Sequence, residues 1–524
     1  MKRLNQIAAL TISVLVFAPN CIAYDRGARF PAPAVAYEPS DAFQNAKRLA
    51  RIGEFELAIK EYNKILAGSP NNPSYLARRG FAYASLNDFK KAFSDFDSAI
   101  KCDANCSEIY KLRSRVNSVL GLNGLAKQDA IRALQLSAVL PITPGDQLEY
   151  SYLLFSVGEK TKGTQYCRWA LNQCKKKKDF ESLILSAVAS FKLHQLKEAI
   201  SYCNRAVQLY PQSNYALGIR AICYSVDKQE KLGIADFNKI LAMNKNDAIT
   251  LLMRGYDYYV LKDYISAFSD LDKAISLVPN LSEAYYWRGQ TYYRTNDYKK
   301  AIADFSQGIK LDPTNPSPYV SRGLAYCSEK EWDKALKDSK QAIAIEPKFS
   351  DAYWVQASSL DNQGHYKESV ESYNKVLELD PKNAAAYFSR GMCHRNHKQY
   401  RKAIEDITEA IELEPKNPIY FCARGSAFVS DYKYEHAIFD CNQSLKLNPE
   451  RTHPHFSRGV AFARLGDYKS ALLDFDEAIK QYPEYGEAYY ERSLVYKTLK
   501  MNGKADADSK LAKKFGYEDT GAMK

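Results

Sequence analysis

The sequence predicts an all-α protein built as a solenoid of stacked antiparallel helix pairs. Three observations predict this fold: a recurring Arg-Gly pair, small residues at two fixed positions of each recurrence, and a proline that closes most of them. Repetition at a fixed period of a few tens of residues is typical of stacked helical repeats. The pairs are spaced by 34 residues or a multiple of it, at Arg254-Gly255, Arg288-Gly289, Arg322-Gly323, Arg390-Gly391, Arg424-Gly425 and Arg458-Gly459.

A common register places fourteen repeats along the 524 residues, each beginning seven residues before its small residue. Position 8 is Gly, Ala or Ser in every repeat, position 20 is equally restricted, and nine repeats carry Pro at position 32. Consecutive starts are 34 residues apart, except on either side of Pro144, where the steps are 37 and 36. The repeats, numbered 1 to 14, begin at Pro39, Pro73, Ser107, Pro144, Phe180, Asn214, Ala248, Ser282, Pro316, Ser350, Ala384, Pro418, Thr452 and Gly486.

Repeat 8 shows how the pattern predicts two helices. Apolar or small residues recur at helical spacing after Ser282 and again after Tyr298. Asp297 lies between them, where its carboxylate can cap the second helix, and Pro313 ends the pair because its ring cannot continue a helix. Small residues at positions 8 and 20 let the two helices approach closely. A single pair cannot bury its apolar faces, so the copies are expected to stack.

These positions resemble the tetratricopeptide repeat. Eight residues of repeat 8 match the family pattern, and the resemblance extends over about residues 39–516. The resemblance implies a right-handed superhelix whose first helices line a concave groove that commonly takes a peptide or a partner segment. The Lys and Asn arrangement by which chaperone-binding members clamp a C-terminal carboxylate is not visible. The matching residues are Tyr285, Gly289, Tyr292, Tyr298, Ala301, Phe305, Gly308 and Pro313.

The remaining segments define the predicted organisation. Lys2 and Arg3 precede an apolar stretch and a small-residue cleavage site, so residues 1–23 are interpreted as a secretory signal peptide. An uncleaved anchor and a lipid-anchored start at Cys21 are the alternatives. Residues 24–38 are a linker, 39–140 hold repeats 1–3, and 141–179 hold an irregular repeat 4 that is a possible joint. Residues 180–516 hold repeats 5–14 with a C-terminal capping helix, and residues 517–524 are a polar tail.

Arg at position 7 occurs together with Asp at position 23. Repeats that lack one also lack the other, as Tyr150 with Tyr166, Ser186 with Tyr202, and Gln356 with Ser372 show. Joint retention predicts a partly buried ion pair between the two helices; a ladder of Arg reading phosphates or carboxylates is the alternative. The pairs are Arg79 with Asp95, Arg113 with Asp129, Arg220 with Asp236, Arg254 with Asp270, Arg288 with Asp304, Arg322 with Asp338, Arg390 with Asp406, Arg424 with Asp440, Arg458 with Asp474, and Arg492 with Asp508.

The resemblance implies a partner-binding groove at positions 2, 5, 9, 12 and 13. Aromatic residues with Arg at these positions are typical of binding hot spots. The alternative is that some of them seal neighbouring repeats. The groove residues are Tyr256, Tyr259, Tyr286, Tyr293, Arg294, Trp354, Asp361, Phe388 and Arg395, with Phe456 and Tyr490 further on.

The sequence contains few other candidates for metal-binding, disulfide-forming or catalytic residues. His394 and His397, beside Cys393, lie one helical turn apart, but packing is favoured over metal binding because no carboxylate motif accompanies them. Cys167, Cys203 and Cys441 occupy a core position, whereas Cys102 and Cys106 are the best disulfide candidates if the chain is exported. No catalytic residue, metal or cofactor is predicted.

The function predicted is therefore that of an exported, non-enzymatic scaffold, periplasmic or secreted if bacterial, that binds a protein or peptide in its groove. The alternatives are an assembly subunit of an envelope complex that uses its convex surface, a repeat subunit supporting a separate enzyme, or an RNA-associated repeat protein. The net charge of +12 argues little for nucleic acid, because Lys is spread over the repeat ends. The partner and the oligomeric state stay open.

Overall fold

The computed structural model describes residues 41–51, 55–86, 88–137, 143–450 and 452–517. The signal peptide and linker predicted before residue 39 lie outside the described residues, as does the tail from residue 518. Two compact units divide the chain, one ending at Ala325 and one beginning at Tyr326. They are called the N-terminal and C-terminal units below. Repeat 4 lies inside the N-terminal unit, and its role as a joint stays a prediction.

The described residues form an all-α solenoid of consecutive helix pairs, which confirms the predicted fold class. The first helices are Asp41–Arg51, Pro73–Ser85, Ser107–Val119, Pro144–Val157, Phe180–Lys192, Asn214–Val226, Ala248–Val260, Ser282–Arg294, Pro316–Ser328, Ser350–Asn362, Ala384–Asn396, Pro418–Ser430, Thr452–Arg464 and Gly486–Thr498. The second helices are Phe55–Gly68, Phe89–Cys102, Asn123–Leu136, Lys160–Cys174, Leu196–Leu209, Glu230–Met243, Tyr264–Leu277, Tyr298–Leu311, Trp332–Ile345, Tyr366–Leu379, Tyr400–Leu413, Tyr434–Leu447, Tyr468–Gln481 and Asn502–Lys514.

Small residues explain how closely the two helices of a pair pack. A Cβ placed on Gly289 would lie 2.8 Å from a ring carbon of Phe305 on the second helix. Phe305 and Ala301 are fully buried at this contact. A larger side chain at position 8 would therefore push the helices apart, which is why only Gly, Ala or Ser occurs there.

The turn between the two helices has a fixed geometry. Asp297 accepts a hydrogen bond of 3.2 Å from the backbone N–H of Lys300, which confirms the predicted cap. The preceding residue, Asn296, has a φ of 62°, in the left-handed region. The same position 15 has a positive φ in eleven other repeats, at Gly121, Gly158, His194, Lys228, Lys262, Lys330, Gly364, Lys398, Tyr432, Gly466 and Lys500. The solenoid thus repeats one backbone turn, even where the side chain is not glycine.

The N-terminal unit also contains a contact between repeats far apart in sequence. The backbone N–H of Ser282 donates to the carbonyl of Leu120 at 3.1 Å, and the N–H of Asn123 donates to Asp312 Oδ2 at 3.1 Å. These bonds join the turn of repeat 3 to both ends of repeat 8. Leu120 is fully buried there. Within this unit the array turns back on itself.

None of the described helices is long and apolar enough to cross a lipid bilayer.

Candidate functional site

Within each unit, the side chains at positions 2, 5, 9, 12 and 13 of the first helices are here called the first-helix wall. Within each unit, position 12 of one repeat contacts position 9 or 10 of the next. Examples are the hydroxyls of Ser118 and Tyr152, which share a hydrogen bond, and Arg395 with Ser426. All predicted groove residues lie on this wall.

In the N-terminal unit, three predicted groove residues converge on Trp287. The ring centroids of Tyr256, Tyr259 and Tyr286 lie 4.5, 5.5 and 5.1 Å from that of Trp287. Tyr286 and Trp287 are each only 8% exposed. Burial raises the pKa of Tyr256 above its usual range. These rings pack against each other between repeats 7 and 8, so they seal the junction. Trp287 was absent from the predicted groove because position 6 is not among the positions that the family pattern assigns to it.

Two further predicted residues stand beside this cluster. The ring of Tyr293 packs on Tyr298 at 5.5 Å between centroids. Arg294 is exposed, and its Nε donates to Tyr259 Oη at 3.2 Å. The structure therefore brings Tyr256, Tyr259, Tyr286 and Arg294 into one group and leaves Tyr293 at its edge.

In the C-terminal unit, the predicted aromatic residues are partly exposed. Trp354 packs on Tyr373 of the same repeat with a centroid distance of 6.1 Å, and Phe388 packs on Tyr420 of the next repeat at 5.0 Å. Each side chain thus has one face against the protein and retains some exposed surface.

Arg395 lies on the same wall in a half-buried environment. Its Nη1 atom donates to Ser426 Oγ at 3.4 Å, and no carboxylate of the described residues lies within ion-pair distance of the guanidinium. Burial lowers the pKa of this guanidinium from its usual value. Arg395 therefore has several N–H donors in a partly desolvated site without an anionic partner among the described residues.

The structure separates the two histidines that the sequence places one turn apart. His394 is buried, its Nδ1 lies 2.8 Å from Tyr366 Oη, and its Nε2 lies 3.5 Å from Asp406 Oδ2. His397 contacts a different carboxylate: its Nε2 atom lies 3.2 Å from Asp361 Oδ1. Asp361 and His397, with Cys393, place their ligand atoms within 4.8 Å of one another. Sequence reasoning named all three residues but did not group them, because Asp361 belongs to the preceding repeat.

Arg at position 7 and Asp at position 23 are in direct contact. In Arg254 the Nε and Nη2 atoms donate to the two carboxylate oxygens of Asp270, each at 2.7 Å. Eight other pairs show the same two-bond geometry. The hydrogen bond to Asp270 raises the pKa of Arg254. Arg322 belongs to the N-terminal unit and Asp338 to the C-terminal unit.

A third bond from each arginine extends the pair to the preceding repeat. Nη1 of Arg254 donates to Asn238 Oδ1 at 2.6 Å, and Nη1 of Arg322 donates to Ser306 Oγ at 2.9 Å. Each acceptor is at position 25 of the preceding repeat, so one guanidinium joins three helices. The acceptors are Asn63, Asp97, Asn204, Asn238, Asp272, Ser306, Asn374, Thr408, Asn442 and Asp476.

The sequence contained the signal for this third partner. Position 25 is Asn, Asp, Ser or Thr in every repeat that precedes an arginine. Where the next repeat lacks the arginine, the residue is Ile131, Arg168 or Lys340. The Asn, Asp, Ser or Thr at position 25 and the arginine at position 7 of the next repeat therefore occur together or are missing together. The same reasoning that predicted the ion pair would have predicted this bond between repeats.

The cysteines in the described residues are free thiols. Cys167, Cys203 and Cys441 are fully buried at their core position. Cys102 is exposed and Cys106 partly exposed, and the structure has no bond between them.

Comparison with protein families finds the repeat in the second half of the chain. Residues 289–327 and 362–394 match a model described as TPR repeat, and residues 384–417 and 423–498 match models described as tetratricopeptide repeat. The chain therefore contains tetratricopeptide repeats.

One curated relative is the DnaJ protein P58IPK homolog B of Oryza sativa subsp. japonica. It is 25% identical over 258 residues, which cover 46% of this chain and 50% of that protein. The chain thus spans about half the length of this relative.

Solved structures of similar fold include the APC/C hetero-tetramer Cut9-Hcn1, with 14% identity, 90% of this chain and 92% of that chain covered, and a TM-score of 0.48. YrrB, described as a TPR protein with an unusual peptide-binding site, shares 24% identity over 36% of this chain and 97% of its own, with a TM-score of 0.30. A tetratricopeptide repeat protein from Parabacteroides merdae shares 18% identity over 47% of this chain and 98% of its own, with a TM-score of 0.40.

Proposed function

We propose that this chain is a non-catalytic scaffold that binds an extended segment of a partner protein along the first-helix wall of its C-terminal unit. The single observation that carries the proposal is Arg395, a half-buried guanidinium on that wall with no anionic partner among the described residues. A carboxylate of the partner would accept hydrogen bonds from the N–H groups of Arg395 that are not bonded to Ser426. Hydrogen bonds to charged groups contribute about 1.5–3 kcal/mol when they are protected from water.

The aromatic residues on either side of Arg395 support an extended partner. Phe388 lies two helical turns before Arg395 on the same first helix, and Trp354 lies on the first helix of the preceding repeat. Both rings retain accessible surface while their other face is fixed by Tyr420 or Tyr373. Rings held rigidly in this way lose little conformational entropy on binding. The partner expected is a segment with apolar side chains and at least one carboxylate.

The test is selection of peptides from a random library on the full chain, followed by affinity measurement with fluorescently labelled peptides. We expect the selected peptides to carry a carboxylate, and we expect Arg395→Ala to weaken their binding at least about tenfold. Arg401→Ala is the matched control, because Arg401 is exposed on the neighbouring second helix. Peptides that bind the Arg395→Ala variant as tightly as the parent would refute this site.

Export of the chain is part of the proposal. It is supported by the basic start at Lys2 and Arg3 and by the apolar residues that follow. Mass spectrometry of the protein from its source tests it: we expect an N-terminus at Tyr24, whereas a lipidated Cys21 or an intact leader would show the anchored alternatives. A mature chain recovered from the compartment where it was synthesised would contradict export.

A further inference from the structure

Three potential metal ligands meet on the C-terminal unit. Asp361 lies in the last turn of the first helix of repeat 10, Cys393 lies on the first helix of repeat 11, and His397 follows the end of that helix. Their ligand atoms all lie within 4.8 Å of one another. The helix ends hold the three side chains in one place because repeats 10 and 11 stack side by side. This cluster is called the 361/393/397 cluster below.

The donor set and its spacing fit zinc. A carboxylate oxygen, an imidazole nitrogen and a thiolate sulfur are all zinc ligands. In a tetrahedral zinc site the bond lengths place a nitrogen and an oxygen about 3.3 Å apart, and a sulfur about 3.6 Å from the nitrogen. Asp361 Oδ1 and His397 Nε2 are 3.2 Å apart, so this edge already has the required length. The thiol sulfur lies within 4.8 Å of both atoms, so it is at most about 1.2 Å beyond the required distance.

The surroundings of the cluster orient two of the ligands. The ring of Tyr366 packs on the ring of His397 with a centroid distance of 4.6 Å. Ser369 Oγ lies 3.5 Å from Cys393 Sγ, and because the Ser369 hydroxyl donates to the carbonyl of Ala357 at 2.9 Å, its oxygen accepts from the thiol. Contacts of this kind orient metal ligands in known sites. His394 does not belong to the cluster: its Nδ1 lies 2.8 Å from Tyr366 Oη and its Nε2 lies 3.5 Å from Asp406 Oδ2.

The cluster is buried on the side of Cys393 and reaches solvent on the side of Asp361 and His397. Cys393 is fully buried, whereas the side chains of Asp361 and His397 are 16% and 28% exposed. An ion would reach the cluster from the solvent side and would keep one coordination position directed outward. Three protein ligands with an open fourth position is an arrangement that zinc accepts.

We propose that Asp361, Cys393 and His397 bind one zinc ion, with water in the fourth position. On binding, the sulfur–hydrogen bond of Cys393 breaks, its proton passes to solvent, and the thiolate electron pair forms the bond to the metal. No electron is transferred. The proposal is independent of the peptide-binding surface around Arg395.

The test uses the full chain, purified under reducing conditions and freed of metal with a chelator. Cobalt(II) is titrated first, because a thiolate ligand gives a charge-transfer band and tetrahedral coordination gives intense visible bands. We expect one equivalent of cobalt to bind and one equivalent of zinc to displace it. We also expect zinc to raise the melting temperature of the parent, because the ion binds the folded state.

Variants decide whether the ion is held by these residues. Cys393→Ser should abolish the charge-transfer band, and Asp361→Asn and His397→Gln should each weaken cobalt binding at least tenfold. His394→Gln is the matched control and should bind as the parent does. If Cys393→Ser fails to fold, Asp361→Asn and His397→Gln still test the proposal, because these two side chains are partly exposed. No stoichiometric binding by the parent, or undiminished binding by Asp361→Asn and His397→Gln, would overturn the proposal.

Discussion

In the N-terminal unit part of the first-helix wall is covered by other parts of the same unit, as at Arg115, whereas Trp354, Phe388 and Arg395 on the wall of the C-terminal unit are partly exposed. Arg115, at position 9 of repeat 3, is 4% exposed, and it is paired with Glu149. Burial lowers its pKa to about 10, and Tyr215, three repeats later, is among the groups that act on it. Trp354 and Phe388 at position 5 and Arg395 at position 12 lie on the wall of the C-terminal unit and retain accessible surface.

This difference shows that one repeat pattern can produce a filled interior or an accessible wall. In the N-terminal unit, the bonds from Ser282 to Leu120 and from Asn123 to Asp312 bring repeats 3 and 8 together. Polar groups on its wall consequently find partners within the unit or become buried. A binding surface requires the wall to stay open, which is why the proposed site is on the C-terminal unit.

The largest effect is expected from breaking the ion pairs, which occur in both units. Arg288→Ala should lower the free energy of unfolding by about 1–3 kcal/mol, because Asp304 stays buried without its donor. Arg424→Ala should have a similar cost, because Asp440 is only 1% exposed. Hydrogen exchange of the second helices of the two repeats measures both losses.

Arg294→Ala, which removes an exposed arginine, serves as the control. Similar costs in the two units would mean that the units share one framework and differ only in their walls. If both variants melt like the parent, the pairs are effectively solvated and contribute no stability.

The second prediction breaks the closure of the N-terminal unit. A Cβ on Gly124 would lie 2.4 Å from Thr314 Oγ1, so Gly124→Leu should separate repeats 3 and 8 at a cost of about 2 kcal/mol. We expect faster hydrogen exchange at residues 120–126 and 282–284. Gly503→Leu is the matched control, because Gly503 has the same place in its helix and nothing within 4 Å of its Cβ. Unchanged exchange at Ser282 would show that the contact does not restrain this unit.

The third prediction uses the buried carboxyl of Asp257 in the N-terminal unit. Asp257 is 0% exposed, and burial raises its pKa well above the usual value. Ser225 Oγ lies 2.7 Å from Asp257 Oδ2 and 3.0 Å from the carbonyl oxygen of Ala221, and the single hydroxyl hydrogen of Ser225 cannot be donated fully to both. A protonated Asp257 satisfies this arrangement, because its O–H donates to the serine.

The folded protein therefore keeps a proton that the unfolded chain releases above about pH 4, so the stability contributed by Asp257 is lost as pH rises towards its folded pKa. Asp257→Asn removes this dependence, and its melting temperature should rise relative to the parent between pH 5 and 8. Because the pKa of Asp257 is raised in the folded state, the advantage of the variant over the parent should increase with pH. Asp506→Asn, at an exposed site, should show no such trend. A parent and Asp257→Asn variant with parallel pH profiles would mean that Asp257 is not protonated.

The repeats, their helices and the cap at Asp297 were predictable because each depends on residues within one 34-residue copy. The contact of Arg254 with Asp270 was predictable for the same reason, and the third partner, Asn238, needed only the preceding copy. The closure between Asn123 and Asp312 was not predictable, because it depends on small rotations added over five repeats.

The grouping of the 361/393/397 cluster was hidden for a related reason. Sequence spacing treats His394 and His397 as equivalent neighbours on a helix. The packing of repeat 10 brings Asp361 next to His397. His394 instead contacts Tyr366 and Asp406. Side chains between repeats therefore require the stacking geometry before their partners can be named.

The smallest effect is expected at the turns, where both units again share one geometry. Lys262 and Lys398 have φ values of 63° and 59°, which cost a residue with a Cβ about 1–2 kcal/mol. Lys262→Gly and Lys398→Gly remove that strain, but glycine also loses more backbone entropy on folding. A net gain of about 0.5–1 kcal/mol is therefore expected in each unit by thermal unfolding. Gly364→Lys is the reciprocal control and should lose a similar amount, because Gly364 has a φ of 80° at the same position. A gain in only one unit would mean that the lysine side chain of the other makes a stabilising interaction, and the comparison of the two frameworks would then have to include the turns.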